Sequence, residues 1–362
     1  MKYFYNKGIV MSYKEINAAV LVRKKSPLHL KKINFFGPLK KGQVLVKILY
    51  SGICGKQIDE IDGVGEVDRY LPHCLGHEGS GLVLDVGAGV KKIKKGQNVI
   101  LHWIKGKGIN SKVPEYYEKK TSKKINAGWV TTFNDFAVVS ENRLTSISSK
   151  INLKEAALFG CAVPTGIGTI LNYQNFNSKD TKENIAIVGC GGVGLLMIQA
   201  LKIINKKNII AIDIKNSALK LAKKCGAKET LLMKNQNDFL KKILEITNNK
   251  GVDHVFVNTG NKNAIHQSLK ILSKKGRFVQ VGVPPLKMSI KINLFEVLHG
   301  KKIGGCMGGN TIPDKHMEQY IKLYHQKKIK LNMILSKIFP FKKINEAIEY
   351  HRRSPGRVLL RF

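Results

Sequence analysis

Acidic residues are scarce in this chain: 25 Asp and Glu stand against 62 Lys and Arg, a formal charge of +37 over 362 residues. Such an excess by itself points to nucleic acid or an anionic surface. The basic residues, however, are overwhelmingly lysine and fall in pairs along every segment, among them Lys24-Lys25, Lys91-Lys92, Lys206-Lys207, Lys241-Lys242 and Lys301-Lys302. With no arginine-rich arm, zinc finger or basic-aromatic platform, a dedicated nucleic-acid surface is not expected. What remains is a general attraction for anionic substrates that salt suppresses. Paired cysteines are missing as well. Six cysteines (54, 74, 161, 190, 225 and 306) occur without paired spacing or a single C-x-x-C, which in a chain without a signal peptide argues for a reducing, cytoplasmic setting where cysteines are buried hydrophobes, thiolates or metal ligands. No run of about eighteen apolar residues exists to span a membrane. Residues 1–10 are basic and aromatic without an apolar core and cleavage site, so no secretory signal is expected, and Met11 could be the true start with the first ten residues an extension. Internal repeats are absent too.

The strongest positive feature is Asn184-Ile-Ala-Ile-Val-Gly-Cys-Gly-Gly-Val-Gly194, with Asp213 nineteen residues further on. A short apolar run leads into Gly189, Gly191 and Gly194 at G-x-G-x-x-G spacing, then a helical pattern, then an acid ending a second apolar run. Gly189 permits a tight turn, Gly191 lets the backbone approach a pyrophosphate, and Gly194 lets the helix pack on the sheet. Gly192 and Val193 lie inside the same loop. An acid at Asp213 accepts hydrogen bonds from a ribose diol and repels a 2′-phosphate, so NAD is favoured over NADP. Lys215 could soften that preference.

The rest of the chain has two textures. Residues 17–150 read as short strands between glycine turns: Gln43–Tyr50, Gly81–Val86 and Gln97–His102 are apolar or alternating over strand lengths. A small, strongly bent sheet or barrel is predicted. From about 165 strands and helices alternate, with strands near 184–188, 208–213, 253–257 and 277–282 and helices at 192–204, 216–225, 236–246 and 262–272. That rhythm predicts a parallel sheet with right-handed crossovers. Helices at 313–326 and 343–351 and a strand at Arg357–Phe362 complete the expectation. Lys105 to Ala127 is lysine-rich without apolar period and reads as a long surface excursion.

Three residues suggest a metal: Cys54 in Ser51-Gly-Ile-Cys-Gly55, His77 in Leu75-Gly-His-Glu-Gly79, and Cys161 in Phe159-Gly-Cys-Ala-Val-Pro-Thr-Gly166. Two thiolates and an imidazole suit Zn²⁺ and leave a fourth position open. Each alone also reads as a packed core residue. Together with Gly76-His77-Glu78-Gly79, Gly81, Val86-Gly87, Thr165-Gly166 and Gly282-Val-Pro-Pro285, they resemble the zinc-dependent medium-chain alcohol dehydrogenase family, in particular its alcohol and formaldehyde dehydrogenase branch, from about Ala18 to Phe362.

The resemblance implies an α/β chain with a GroES-like barrel at 1–162 and 308–362 and a Rossmann domain at 163–307. It implies Cys54, His77 and Cys161 as catalytic zinc ligands, with Glu78 a carboxylate behind the metal. Thr165, Val193 and Val281, with Val283, would adjoin the nicotinamide, and Arg357 the pyrophosphate. Zinc would act as Lewis acid on an alcohol or carbonyl oxygen while hydride passes to or from NAD. A homodimer through the sheet edge near Ile290–Ile303 is implied, with a tetramer as the other possibility.

Two departures stand out. Trp103 to Trp129 holds no cysteine, where many relatives carry a four-cysteine structural zinc site, so one zinc per chain is expected and the excursion should shape the cleft or a subunit contact. After the first ligand, the family's Cys-Gly-Ser/Thr-Asp-x-His is replaced by Cys54-Gly55-Lys56-Gln57-Ile58-Asp59. Lys56 could take the substrate proton and pass it to Asp59, or grip an anionic group on a polyol or sugar-like substrate. His102, at a strand end, could border the pocket, though such a residue more often packs, and Cys74-x-x-His77 could imitate a metal pair, though the strand-turn context favours Cys74 as buried packing. Two other readings remain open: a metal-free enzyme like the quinone reductases, and a non-catalytic nucleotide- or polyanion-binding protein with steeply salt-dependent binding.

Overall fold

The computed structural model describes residues 2–6, 9–64, 68–176, 180–233 and 236–362. Of the N-terminal extension, Met1, Lys7 and Gly8 lie outside the described residues, and Lys2–Asn6 pairs antiparallel with the start of Ile9–Leu21. No helix among the described residues is long and apolar enough to cross a membrane.

Six parallel strands form one sheet, in the order Glu229–Leu232, Asn208–Asp213, Asn184–Val188, Val252–Val257, Leu272–Gln280 and Lys302–Gly305. Helices cover both faces, so Ile185, Ala186, Ile187 and Val188 are all buried and the strand reads as a continuous apolar run. Each of those isoleucines contributes roughly 1.5–3 kcal/mol by leaving water. Strand order reverses direction between Asn184–Val188 and Val252–Val257, which opens a crevice at their C-terminal ends.

The second body is largely antiparallel, with Leu335–Pro340 running parallel to Arg357–Arg361. Gln43–Ile53 is its spine, paired with Glu78–Val86, Phe136–Ser140 and the C-terminal strand Arg357–Arg361. Val44, Val46 and Ile48 face one apolar cluster and Leu45 another, so this strand is buried on both sides. Val358 opposite Ile53 and Leu360 opposite Ser51 carry the chain's end back into its beginning.

Helices 216–225 and 236–246 coincide with the expected ones. The fourth expected strand runs instead from Leu272 to Gln280, which leaves Val281 and Gly282 in the turn beyond it. The excursion differs more. Tyr116–Glu118 and Lys124–Ile125 extend the N-terminal sheet beside His29–Phe36, and Tyr116 is fully buried, its hydroxyl accepting from Val138 N–H at 2.9 Å. Of the stretch from Trp103 to Trp129, Trp103 lines the large cleft, while residues 105–127 stand outside it. Strands of two and three residues are too short to leave a visible period. Glu141 pins the excursion down, accepting from Lys91 and Lys92 N–H through Oε1 and from Ile109 N–H through Oε2.

Candidate active site

Two cysteines sit at helix starts. Cys54 caps the helix Gly55–Asp62 and Cys161 precedes the helix Ala162–Leu171, where N-terminal partial positive charge favours a thiolate. His77 sits just ahead of the strand Glu78–Val86. The sulfurs of Cys54 and Cys161 are 4.0 Å apart, and one ligand atom from each of the three residues lies within 4.8 Å of the others. Bonds of roughly 2.3 Å from a tetrahedral zinc would set two sulfurs about 3.8 Å apart, so the spacing fits. His77 Nδ1 meets the Gln57 carboxamide, while Nε2 is buried with no hydrogen-bond partner. The three residues could therefore hold a zinc ion with an open fourth position.

The hydrogen bond between the two sulfurs sorts their protons. It pulls Cys54 well below the ordinary thiol range and, with burial, pushes Cys161 well above it. Burial pulls the His77 imidazole down, but the neighbouring Cys54 and the charges of Glu78 and Glu60 outweigh it and hold it above its usual value. Cys74, in contrast, is pushed up to about 12 by burial and is not among these three residues. Its strand places Cys74 in the core, as the strand-turn context of the sequence led one to expect. His102 likewise packs inside, its ring held by Ile104 O at 2.6 Å and Thr145 Oγ1 at 3.1 Å, and does not line the cleft.

Glu78 is wholly buried beside the cluster. Its Oε2 accepts from Ala162 N–H at 3.1 Å and its Oε1 lies 3.4 Å from Arg357 Nη1. Burial pushes its carboxyl up, against the opposing charge of Arg357. Room for it depends on Gly52, where a Cβ would stand 2.6 Å from Glu78 Cδ. Arg357 is no strand-end surface charge. It is 3% exposed, donates to Ile53 O at 3.1 Å, and lies against Gly192 of the glycine loop.

From the cluster a cavity of about 1100 Å³ runs along the crevice to Asp213. Cys54, Lys56, Asp59, His77, Cys161, Thr165, Gly189, Gly191, Gly192, Val193, Gly194, Asp213, Val281 and Arg357 all line it, and of the expected site residues only Glu78 stands behind its wall. Gly189 has φ +88°, and a Cβ on Gly194 would meet Gly189 O at 2.1 Å, so the turn needs both glycines. Asp213 Oδ2 accepts from Cys190 N–H at 2.7 Å and Oδ1 from Lys215 N–H at 2.8 Å. The Lys215 ammonium is occupied elsewhere, donating to Arg352 O at 2.8 Å at the end of the helix Ile344–Arg353.

Lys56 and Asp59 share the helix Gly55–Asp62 at the cluster end. Lys56 Nζ is 4.0 Å from Glu60 Oε1, and burial pushes Asp59 up against the opposing charge of Lys56. Among the wall residues that the sequence reading did not single out are Trp103, Asn258 and His351. His351 is pushed down to about 4 by burial and the nearby charge of Arg357, so it is a neutral imidazole. Trp103, just past the strand Asn98–His102 at the start of the lysine-rich excursion, carried a legible hint; Asn258 and His351 did not, because only the packing of distant elements brings them to the crevice.

Residues 40–149 match the alcohol dehydrogenase GroES-like domain and residues 192–326 the zinc-binding dehydrogenase family, together about two thirds of the chain. S-(hydroxymethyl)glutathione dehydrogenase of Haemophilus influenzae is 28% identical, covering 94% of this chain and 96% of that one. The Saccharomyces cerevisiae enzyme of the same name is 29% identical, covering 92% of each. Among solved structures, benzyl alcohol dehydrogenase from Acinetobacter calcoaceticus superposes with a TM-score of 0.81 at 26% identity, covering 96% of this chain and 99% of that one. Its barrel closed by both chain ends, its parallel sheet and these matches make the chain a member of the zinc-dependent medium-chain alcohol dehydrogenase family, an NAD-linked oxidoreductase of alcohols.

Proposed function

We propose that Cys54, His77 and Cys161 hold one zinc per chain, with no structural zinc, and that the enzyme uses NAD in preference to NADP. The observation that carries the reading is the convergence of these three ligand atoms within 4.8 Å at one end of a cavity whose other end is Asp213. Bound zinc would polarise the substrate oxygen, and the nicotinamide would accept or return hydride. Thr165, Val193 and Val281 hold the nicotinamide ring, the turn from Gly189 to Gly194 admits the pyrophosphate, and Arg357 keeps Glu78 in place while flanking that turn. Lys56 receives an anionic group or the substrate proton at the cluster end, with Asp59 one helical turn on. The substrate is a primary or sugar-like alcohol, or the matching carbonyl, carrying negative charge. The named activity of the relatives, on a hydroxymethyl adduct of glutathione, is of that class.

We assign 1–162 with 308–362 to the catalytic body and 163–307 to the cofactor body, in a cytoplasmic homodimer. Exposed Leu294, Phe295 and Leu298, beside the unpaired edge of Lys302–Gly305, support the dimer. Elemental analysis of protein purified without chelator tests the metal: about one zinc per chain, lost in Cys161→Ser, is expected. Zinc indifferent to Cys161 removes the reading.

A further inference from the structure

The helix Gly55–Asp62 opens with a reciprocal cap. Cys54 Sγ accepts from Gln57 N–H, and Gln57 Oε1 accepts from Cys54 N–H at 3.1 Å. The other arm of the same carboxamide meets His77 Nδ1. Gln57 is 1% exposed, so water does not settle the matter for it. Two groups thus compete for one acceptor. The Cys54 backbone N–H can only donate, and a carboxamide has one accepting end and one donating end. With the oxygen committed to Cys54, the NH₂ points at Nδ1, and Nδ1 must accept. A neutral imidazole then carries its proton on Nε2, the buried nitrogen that has no partner and the only one left for a cation. A ring that ligates through Nε2 needs its proton on Nδ1, where it would face the Gln57 NH₂.

We propose that Gln57 is a positioning residue that holds His77 in the tautomer that cannot ligate, so that metal uptake requires the Gln57 carboxamide to turn over and release the Cys54 cap. The inference rests on the zinc reading of Cys54, His77 and Cys161. Its consequence is a loosely held, exchangeable metal. A carboxylate of the same length removes the conflict, because both its oxygens accept: one from Cys54 N–H, the other from Nδ1–H.

Two measurements test this. Long-range ¹H–¹⁵N spectra of the zinc-free wild-type protein, recorded at a pH high enough for the imidazole to be neutral, should show His77 as the Nε2–H tautomer, and those of Gln57→Glu as the Nδ1–H tautomer. Competition with a chromophoric chelator should show zinc bound about 10-fold or more tightly in Gln57→Glu than in wild type. Glutamate is a favoured capping partner at this helix position, so the variant keeps the helix start. An Nδ1–H tautomer in the zinc-free wild type overturns the proposal without any variant, and so does equal zinc affinity in the two proteins. If neither protein takes up one zinc per chain, the zinc reading itself fails, and this inference with it.

Discussion

Arg357 and Glu78 face each other 3.4 Å apart beside the Cys54–His77–Cys161 cluster, the one 3% and the other 0% exposed. The strand Arg357–Arg361, from the chain's end, meets the strand that starts at Glu78 only through Gln43–Ile53 between them. The pair therefore ties the two ends of the antiparallel body to the Cys54–His77–Cys161 cluster.

Removing one partner of a buried pair leaves the other charge without compensation, at a cost of about 3–5 kcal/mol. Arg357→Met is expected to lose that much in urea unfolding. Adding Glu78→Gln should restore most of the loss. A single variant as stable as wild type would show that the pair does not hold the body together.

Glu141 makes a second test of a carboxylate, here holding the excursion. Both its oxygens accept backbone N–H groups, and those bonds hold its carboxyl below the usual range against the opposing effect of burial. A depressed folded value means the stabilisation is complete above the unfolded carboxyl value, roughly pH 4.3, and is lost as pH falls through the folded value. Glu141→Gln turns one arm into a donor facing an N–H, which should cost about 1–3 kcal/mol at neutral pH. The variant should also show a shallower loss of stability on acidification. Parallel unfolding curves for the two proteins below pH 4.3 would count against this role.

Asp213 anchors the cofactor prediction. It already accepts from Cys190 N–H in the glycine turn, so its loss should loosen the turn as well as the ribose contact. Asp213→Ser is expected to weaken NAD⁺ binding about tenfold, or 1.4 kcal/mol, and to weaken NADP⁺ binding less, because the repulsion of a 2′-phosphate goes with the carboxylate. Fluorescence titration of both dinucleotides measures this. An equal loss for the two would mean that Asp213 shapes the turn without reading the ribose.

Much of the cofactor half was legible because its rules are local. Asn184–Val188, the glycine turn and the acid at Asp213 lie within thirty residues, and each has a periodicity or backbone demand that a short window reveals. The helix Gly55–Asp62 was not legible: it starts on Cys54, without the usual hydroxyl or carboxylate cap, and has only eight residues. Glu229–Leu232 and Lys302–Gly305 are four residues each, too short to show alternation.

By itself the sequence determined which chemistry was available: two thiols, an imidazole, a dinucleotide turn and an acid at its far end. Tertiary structure alone decided which of these groups meet. Cys54 and Cys161 are 107 residues apart and touch because strand pairing and two helix starts aim them at one point. Gln57, which the sequence shows only as a departure from a motif, becomes the partner of His77 twenty residues away. Arg357 becomes the buried counter-charge of Glu78. Covalent order carries no information about such contacts, since they form only when the antiparallel body closes and water leaves between its ends.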